Sequence, residues 1–224
     1  MRHIVHGGEP LSFVEWKALE NEDWHPSFED LPSETKETIK NQLWEEQCGL
    51  CCYCEARIEP TPQSSHIEHY YPQSTYPDQR LLYDNLLLSC NGSTKPATRR
   101  CGHAKGNADP KSFVSPLDYD CQEQFHYQTD GKIEKAPHRS SGLEKDPTLT
   151  INTLNLNAST LVRQRKDIFE TTLFLDDDSS FSLGRSRMIA LSNLPLDNNK
   201  QTFSPHWSVW YQLAIELDQA TPLP

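Results

Sequence analysis

Four cysteines fall within seven residues of this 224-residue chain, Cys48, Cys51, Cys52 and Cys54, and Cys90 and Cys101 follow. A C-x-x-C turn aims two thiolates at one point, and a tetrahedral ion then needs two more ligands from elsewhere in the chain. Cys51 and Cys54 make one such pair, and Cys90 with Cys101 a second. Two features leave the register open. Cys48 and Cys51 form a competing C-x-x-C, and the ten residues between Cys90 and Cys101 exceed the usual knuckle. The expected ligands of a structural Zn²⁺ are Cys51, Cys54, Cys90 and Cys101, with Cys52 and Cys121 as packing residues. The bland alternative is a set of unrelated core thiols.

Such a staple is what this composition calls for. Hydrophobic residues make up 35% of the chain and its mean hydropathy is −0.72, polar for a self-sufficient globule. Five Trp, eight Tyr and eight Phe are nevertheless too many for a disordered chain. A metal that binds thiolates supplies folding free energy to a loop-rich segment with a modest core. No run approaches the roughly 18 apolar residues of a membrane span, so no membrane partner is expected. The opening residues Met1 to Gly8 have no apolar stretch of the kind a signal peptide carries. A cytoplasmic, reducing location is therefore expected, where cysteines read as metal ligands more readily than as disulfides. The net charge of −11 excludes a bulk nucleic-acid coat. Any nucleic-acid contact must come from a local patch.

Three regions are expected. Residues 1–47 read as a helical arm, with Ser12 to Glu15 as a capping box ahead of Trp16 and Leu19. Trp24, His25 and Pro26 interrupt it, and a second helix after Ser33 places Ile39, Leu43 and Trp44 on one face. Residues 48–115 carry the cysteines and short apolar bursts such as Leu86 to Leu88, read as packing. Residues 116–224 hold a hairpin from Phe125 to Ile133 turning at Asp130-Gly131 as type I′. A helix over Ser159 to Leu175 and a Trp-rich docking helix after Pro205 complete that region, with Asp176 to Asp178 as a solvated loop between them.

Between the cysteine pairs lies chemistry. Glu68-His69 couples a hard oxygen ligand to an imidazole able to take a proton near neutral pH. His103 offers a second ligand from a later element. One divalent ion and one free histidine suffice to hydrolyse a phosphodiester: the ion neutralises charge while the histidine deprotonates water. His66, three residues before His69, has two readings: a residue that assists the site, or, the favoured one, a solvent-facing loop histidine.

The ordered set Cys51-x-Tyr53-Cys54-Glu55, Ile67-Glu68-His69-x-x-Pro72-Gln73-Ser74, Asn85-Leu86-x-x-Ser89-Cys90 and Cys101-x-His103-x-Lys105-Gly106 resembles the HNH endonuclease family. It is most similar to the PtuB-type HNH proteins of Septu and retron anti-phage systems. The opening residues through Pro10 and the stretch from Asn155 to Arg165 share the likeness. The resemblance implies an α+β fold: a ββα-metal core with a structural four-cysteine zinc site, flanked by helical regions at both ends. It implies His69 as general base, Glu68 as acidic metal ligand and Asn85 as the residue that ties the loop and orients the base. His103 matches the second ligand of the catalytic Mg²⁺ or Mn²⁺. Gly102 intervenes after Cys101 where many members place that ligand, so Asn107 is the fallback.

From Lys95 to Lys111 the chain carries five basic residues against one acid. Lys95, Arg99, Arg100 and Lys105 are expected to dock phosphate, where neutralised charge gives salt-dependent, sequence-independent attraction. The rest of the chain is acidic and would repel a polyanion. The resemblance implies a partner that compensates, an ABC-type ATPase (PtuA-like), and in some systems a retron reverse transcriptase with its RNA–DNA hybrid. The function expected is a metal-dependent endonuclease, the toxic effector of an anti-phage complex, acting on DNA or RNA. The competing expectations are a non-catalytic zinc-binding scaffold of a defence assembly and a zinc redox sensor.

Overall fold

A computed structural model describes residues 1–93, 95, 98–137, 145–173, 189–191, 193–194 and 202–220. Helix α1 (Leu11–Lys17) buries Phe13 and Trp16. Its start differs from the expected capping box. Pro10 occupies the N-cap position and its carbonyl accepts from the Phe13 and Val14 amides at 2.9 and 3.1 Å. Ser12 is thus already helical, and its buried hydroxyl has no hydrogen-bond partner. Leu19 lies beyond the helix and is exposed. Helix α2 (Ser33–Glu46) begins after Pro32 and buries Thr35, Ile39 and Leu43, one apolar stripe at helical spacing.

Strands β1 (Ser65–His69) and β2 (Leu86–Cys90) pair antiparallel, from Ser65 opposite Cys90 to His69 opposite Leu86. A short helix, α3 (Gly102–Lys105), follows. All five residues of β2 are buried, as expected for Leu86 to Leu88. The outer edge of β2 therefore needs partners that water cannot supply. Gln47 at the end of α2 provides them: its carboxamide accepts from the Leu88 amide at 2.7 Å and donates to the Leu88 carbonyl at 2.8 Å. Lys40 ties the same helix to β1 through the Ser65 carbonyl at 2.6 Å.

A second sheet pairs β3 (Phe125–Tyr127) with β4 (Ile133–Lys135). The hairpin is present, but its turn is not type I′. That turn needs positive φ at both central residues, and among residues 128–132 only Gly131 has one, at 86°. Gly131 donates to the Gln128 carbonyl and Gln128 to that of Lys132, each at 2.8 Å. This is a type I turn closed by a left-handed glycine, the three-residue hairpin loop. Helix α4 (Pro147–Thr153) is capped by Asp146, which accepts from Thr148 and Leu149. Helix α5 (Ser159–Leu173) buries Leu161, Arg165, Phe169 and Thr172. Leu175 and the aspartates 176–178 lie outside the described residues.

Contacts cross both expected region boundaries. The Ile4 amide donates to the Pro116 carbonyl at 2.8 Å, and the Cys101 amide to Leu154 at 2.9 Å. Glu55 is buried in the centre of the chain, accepting from the Ser208 amide and hydroxyl and lying 3.2 Å from the Met1 ammonium. Burial alone would raise its pKa, but the ammonium and the Ser208 hydrogen bonds pull it below the ordinary value. The Trp-rich helix, α6 (Trp207–Ala220), turns its apolar side inward. Val209, Trp210, Leu213 and Leu217 are buried in this chain's own core rather than offered to a partner.

Candidate functional site

The four expected ligand cysteines converge. Cys51 and Cys54 sit on the turn after α2, Cys90 ends β2 and Cys101 precedes α3. All four are buried, and their sulfurs lie within 4.8 Å of one another. Cys54 Sγ and Cys90 Sγ are 3.8 Å apart. A tetrahedral ion with Zn–S bonds of about 2.3 Å has S···S edges of about 3.8 Å, whereas a disulfide is about 2.0 Å long. The donor set therefore fits zinc. Cys48 stands outside this group and is half-buried, which favours the Cys51–Cys54 register. Burial first, and then the neighbouring Cys51 sulfur, hold the Cys101 thiol well above its ordinary pKa. A cation reverses that cost by binding thiolate. The Cys90 amide donates to Cys51 Sγ at 3.3 Å, a contact that further stabilises the anion.

At the other end of β1 is a cleft of about 490 Å³ that includes Glu68, His69, Gln73, Arg80, Lys105 and Asn107 in its walls. His69 ends β1, and its Nε2 lies 3.0 Å from the Arg80 carbonyl. A carbonyl only accepts, so Nε2 carries the hydrogen and, in the neutral ring, Nδ1 keeps the lone pair. The Phe28 ring packs edge-on against the imidazole at 4.5 Å. Burial pushes the His69 pKa below 6.5, which keeps the ring neutral at physiological pH. On the adjacent residue, Glu68 Oε1 pairs with Lys105 Nζ at 2.7 Å and accepts from Tyr53 at 3.3 Å. Burial opposes ionisation of Glu68, while His66 and Lys105 lower its pKa on balance.

Asn85 precedes β2 and is buried. Its Oδ1 accepts from the Tyr71 amide at 2.7 Å, and its Nδ2 donates to the carbonyls of Tyr71 and Gln79, both at 3.0 Å. The residue thus fastens the loop between β1 and β2, including the stretch that leads to the Arg80 carbonyl. Truncation leaves three backbone groups unpaired. Asn85→Ala is expected to cost about 2–4 kcal/mol in urea unfolding of the zinc-loaded protein; a cost near zero would show that the loop holds itself.

The remaining expected site residues take varied positions. His103 is exposed, its Nδ1 donating to the Asn91 carbonyl at 2.8 Å. Apart from the thiols, no three His, Cys, Asp or Glu ligand atoms among the described residues lie within 4.8 Å of one another. His103 and Glu68 therefore form no such group with a third ligand. His66 is not a loop residue: it lies on β1 and places Nε2 3.5 Å from Glu68 Oε2. Strand alternation was the available signal, since residues 66 and 68 share a face.

The basic stretch also divides. Lys95 and Arg99 are exposed. Lys105 is buried, its ammonium engaged by Glu68 and by the His69 carbonyl at 2.9 Å rather than offered at the surface. Arg100 is half-buried and donates to Thr160 Oγ1 at 3.1 Å; burial opposes its charge, while the nearby Cys90, Cys54 and Cys101 thiolates favour it and raise its pKa on balance. Four thiolates around a divalent ion retain net negative charge, which this guanidinium offsets. No helix among the described residues is long and apolar enough to cross a membrane.

No family model matches the chain. Over 76 residues it is 36% identical to the Septu protein PtuB of Bacillus thuringiensis. The matched stretch covers 34% of this chain and 26% of that relative, so the chain spans about a quarter of the relative's length. A small-sheet α/β protein with four buried cysteines placed to hold a metal ion is thus similar, over about a third of its length, to a Septu PtuB protein.

Proposed function

We propose that this chain is a metal-dependent endonuclease of the HNH type, in which β1, β2 and α3 form the ββα core and zinc fixes that core. The observation that carries the reading is His69: a buried imidazole with its Nε2–H held by the Arg80 carbonyl, next to Glu68 in an open cleft. An imidazole fixed in that tautomer is ready to accept a proton at Nδ1. A water oxygen attacks phosphorus as its proton passes to Nδ1. The new P–O bond forms while the P–O3′ bond breaks, and the departing oxygen takes a proton from solvent. The ends left are 5′-phosphate and 3′-hydroxyl. A divalent cation, Mg²⁺ or Mn²⁺, would be held at Glu68 and would neutralise charge on the phosphate. Asn85 keeps the loop, and through it the Arg80 carbonyl, in place.

The partial likeness to a Septu PtuB protein supports a role in anti-phage defence beside an ABC-type ATPase. A net charge of −11 with three of the five basic residues of that stretch exposed, Lys95, Arg99 and Lys111, and the last of these paired with Asp109, accords with weak capture of nucleic acid by the chain alone. A scaffold reading draws on the Lys105–Glu68 ion pair, which engages one carboxylate oxygen; it requires that His69→Ala leave defence intact.

The test offers duplex DNA, single-stranded DNA and RNA to the zinc-loaded chain, with and without the ATPase, in Mg²⁺ or Mn²⁺. Cleavage of at least one substrate is expected, and cleavage of none by the full assembly would refute the reading. The pH profile is a second check. His69 must be neutral to act, and burial moves its protonation below pH 6.5. The decline in rate as pH falls should therefore have its midpoint below 6.5; a decline centred above 6.5 would point to another base.

A further inference from the structure

On β1, His66 and Glu68 stand two residues apart and so face the same side of the sheet. His66 Nε2 and Glu68 Oε2 are 3.5 Å apart. That spacing suits one cation bound to both atoms at about 2.1 Å with an angle of roughly 110°. Each partner is oriented by its other atom. Glu68 Oε1 is taken by Lys105, which leaves Oε2 toward His66. His66 Nδ1 faces Asn91 Oδ1 at 3.0 Å. The Asn91 amide is itself oriented, because its Nδ2 donates to the Pro62 carbonyl at 2.8 Å. Its Oδ1 must therefore accept from His66 Nδ1, and in the neutral ring the Nε2 lone pair is free. Metal-binding histidines are held in this way, by the nitrogen that does not bind.

Gly102 supplies the space. A Cβ at this position would lie 2.7 Å from His66 Nε2 and closer still to Glu68 Oε2. Gly102 is not among the residues with positive φ, so its backbone would accept alanine. The glycine is required by the gap between two donor atoms, not by torsion. This is the position that follows Cys101, where the sequence resemblance looks for a metal ligand and finds none.

We propose that His66 Nε2 and Glu68 Oε2 are the paired protein ligands of a divalent transition-metal ion, seated over the bare backbone of Gly102. His103 is then a positioning residue. Its ring packs on His66 with centroids 4.4 Å apart, and it shares Asn91 as anchor. An imidazole–carboxylate pair favours Mn²⁺ or Ni²⁺ over Mg²⁺, which prefers oxygen alone. The inference rests on the nuclease reading for its purpose only, since binding is measured without substrate.

Mn²⁺ is titrated into the zinc-loaded full chain and followed by loss of the free-ion EPR signal, with zinc content and circular dichroism recorded for every variant. Wild type is expected to take up one Mn²⁺. His66→Ala and Gly102→Ala should each weaken it roughly 10–100-fold or more, and His103→Ala by less. His66→Gln provides a second probe if alanine perturbs the strand. Wild-type affinity in folded His66→Ala or His66→Gln, or loss confined to His103→Ala, would overturn the assignment, as would absence of Mn²⁺ uptake by wild type. The two readings fail separately. Normal Mn²⁺ binding with no cleavage of any nucleic acid would sink the nuclease alone.

Discussion

Cys101→Ser is expected to release the bound zinc and abolish the cooperative unfolding transition. The residue is fully buried, donates its amide to Leu154 and adopts φ 57°, a left-handed conformation uncommon for a residue with a side chain. It joins the α3 start to the Cys51–Cys54 turn and the end of β2, segments otherwise connected by loops. Structural zinc contributes on the order of 10–16 kcal/mol in small metal-folded domains. That equals or exceeds the roughly 5–15 kcal/mol by which a typical protein is stable. A serine hydroxyl is a poor substitute for thiolate, and three buried thiols would remain without the cation that offsets their desolvation. Metal analysis with thermal unfolding checks this, and a strong chelator applied to wild type should have the same effect. Cys48→Ser, which lies outside the cluster, should keep its zinc. A zinc-free Cys101→Ser that still melts cooperatively near the wild-type temperature would remove the metal from the account of the fold.

The second large effect belongs to His69. His69→Ala should lower cleavage about 10²–10⁴-fold, the usual contribution of a positioned general base. That corresponds to about 3–5 kcal/mol of activation free energy. Stability should change far less, since the side chain contributes one hydrogen bond to a carbonyl and an edge contact with Phe28. The discriminating result is the pair of readouts: cleavage lost, zinc content and cooperative unfolding retained. Loss of both would make His69 a structural residue of the β1 end. Retained cleavage would leave the cleft without its base.

The cysteine site is legible in sequence because its information is local: one C-x-x-C turn and two later thiols leave few ways to build a tetrahedron. The segments around Glu68 and Asn85 are legible as motifs, but a motif does not say on which face each side chain lies. His66 therefore reads as a loop residue from its neighbours alone, although alternation on β1 pairs it with Glu68. The capping box at Ser12 fails because the helix starts two residues earlier, where the Pro10 carbonyl accepts from the Phe13 and Val14 amides. At Asp130-Gly131 the dipeptide serves two turn types, and only the backbone torsions separate them. The basic stretch misleads for a different reason. Charge counted along a sequence ignores burial, and Lys105 and Arg100 point to an inner carboxylate and an inner thiolate cluster. Gln47, which closes the edge of β2, has no signature in sequence at all.

The central claim is that water, activated at His69, attacks a phosphodiester. Cleavage in ¹⁸O-labelled water tests it most directly, using the zinc-loaded chain with its proposed ATPase partner and Mn²⁺, followed by mass analysis of the new ends. The account predicts one ¹⁸O in each new 5′-phosphate beside an unlabelled 3′-hydroxyl, with product formation lost in His69→Ala. Unlabelled 2′,3′-cyclic phosphate ends, or the same labelled products from His69→Ala at the wild-type rate, would contradict it.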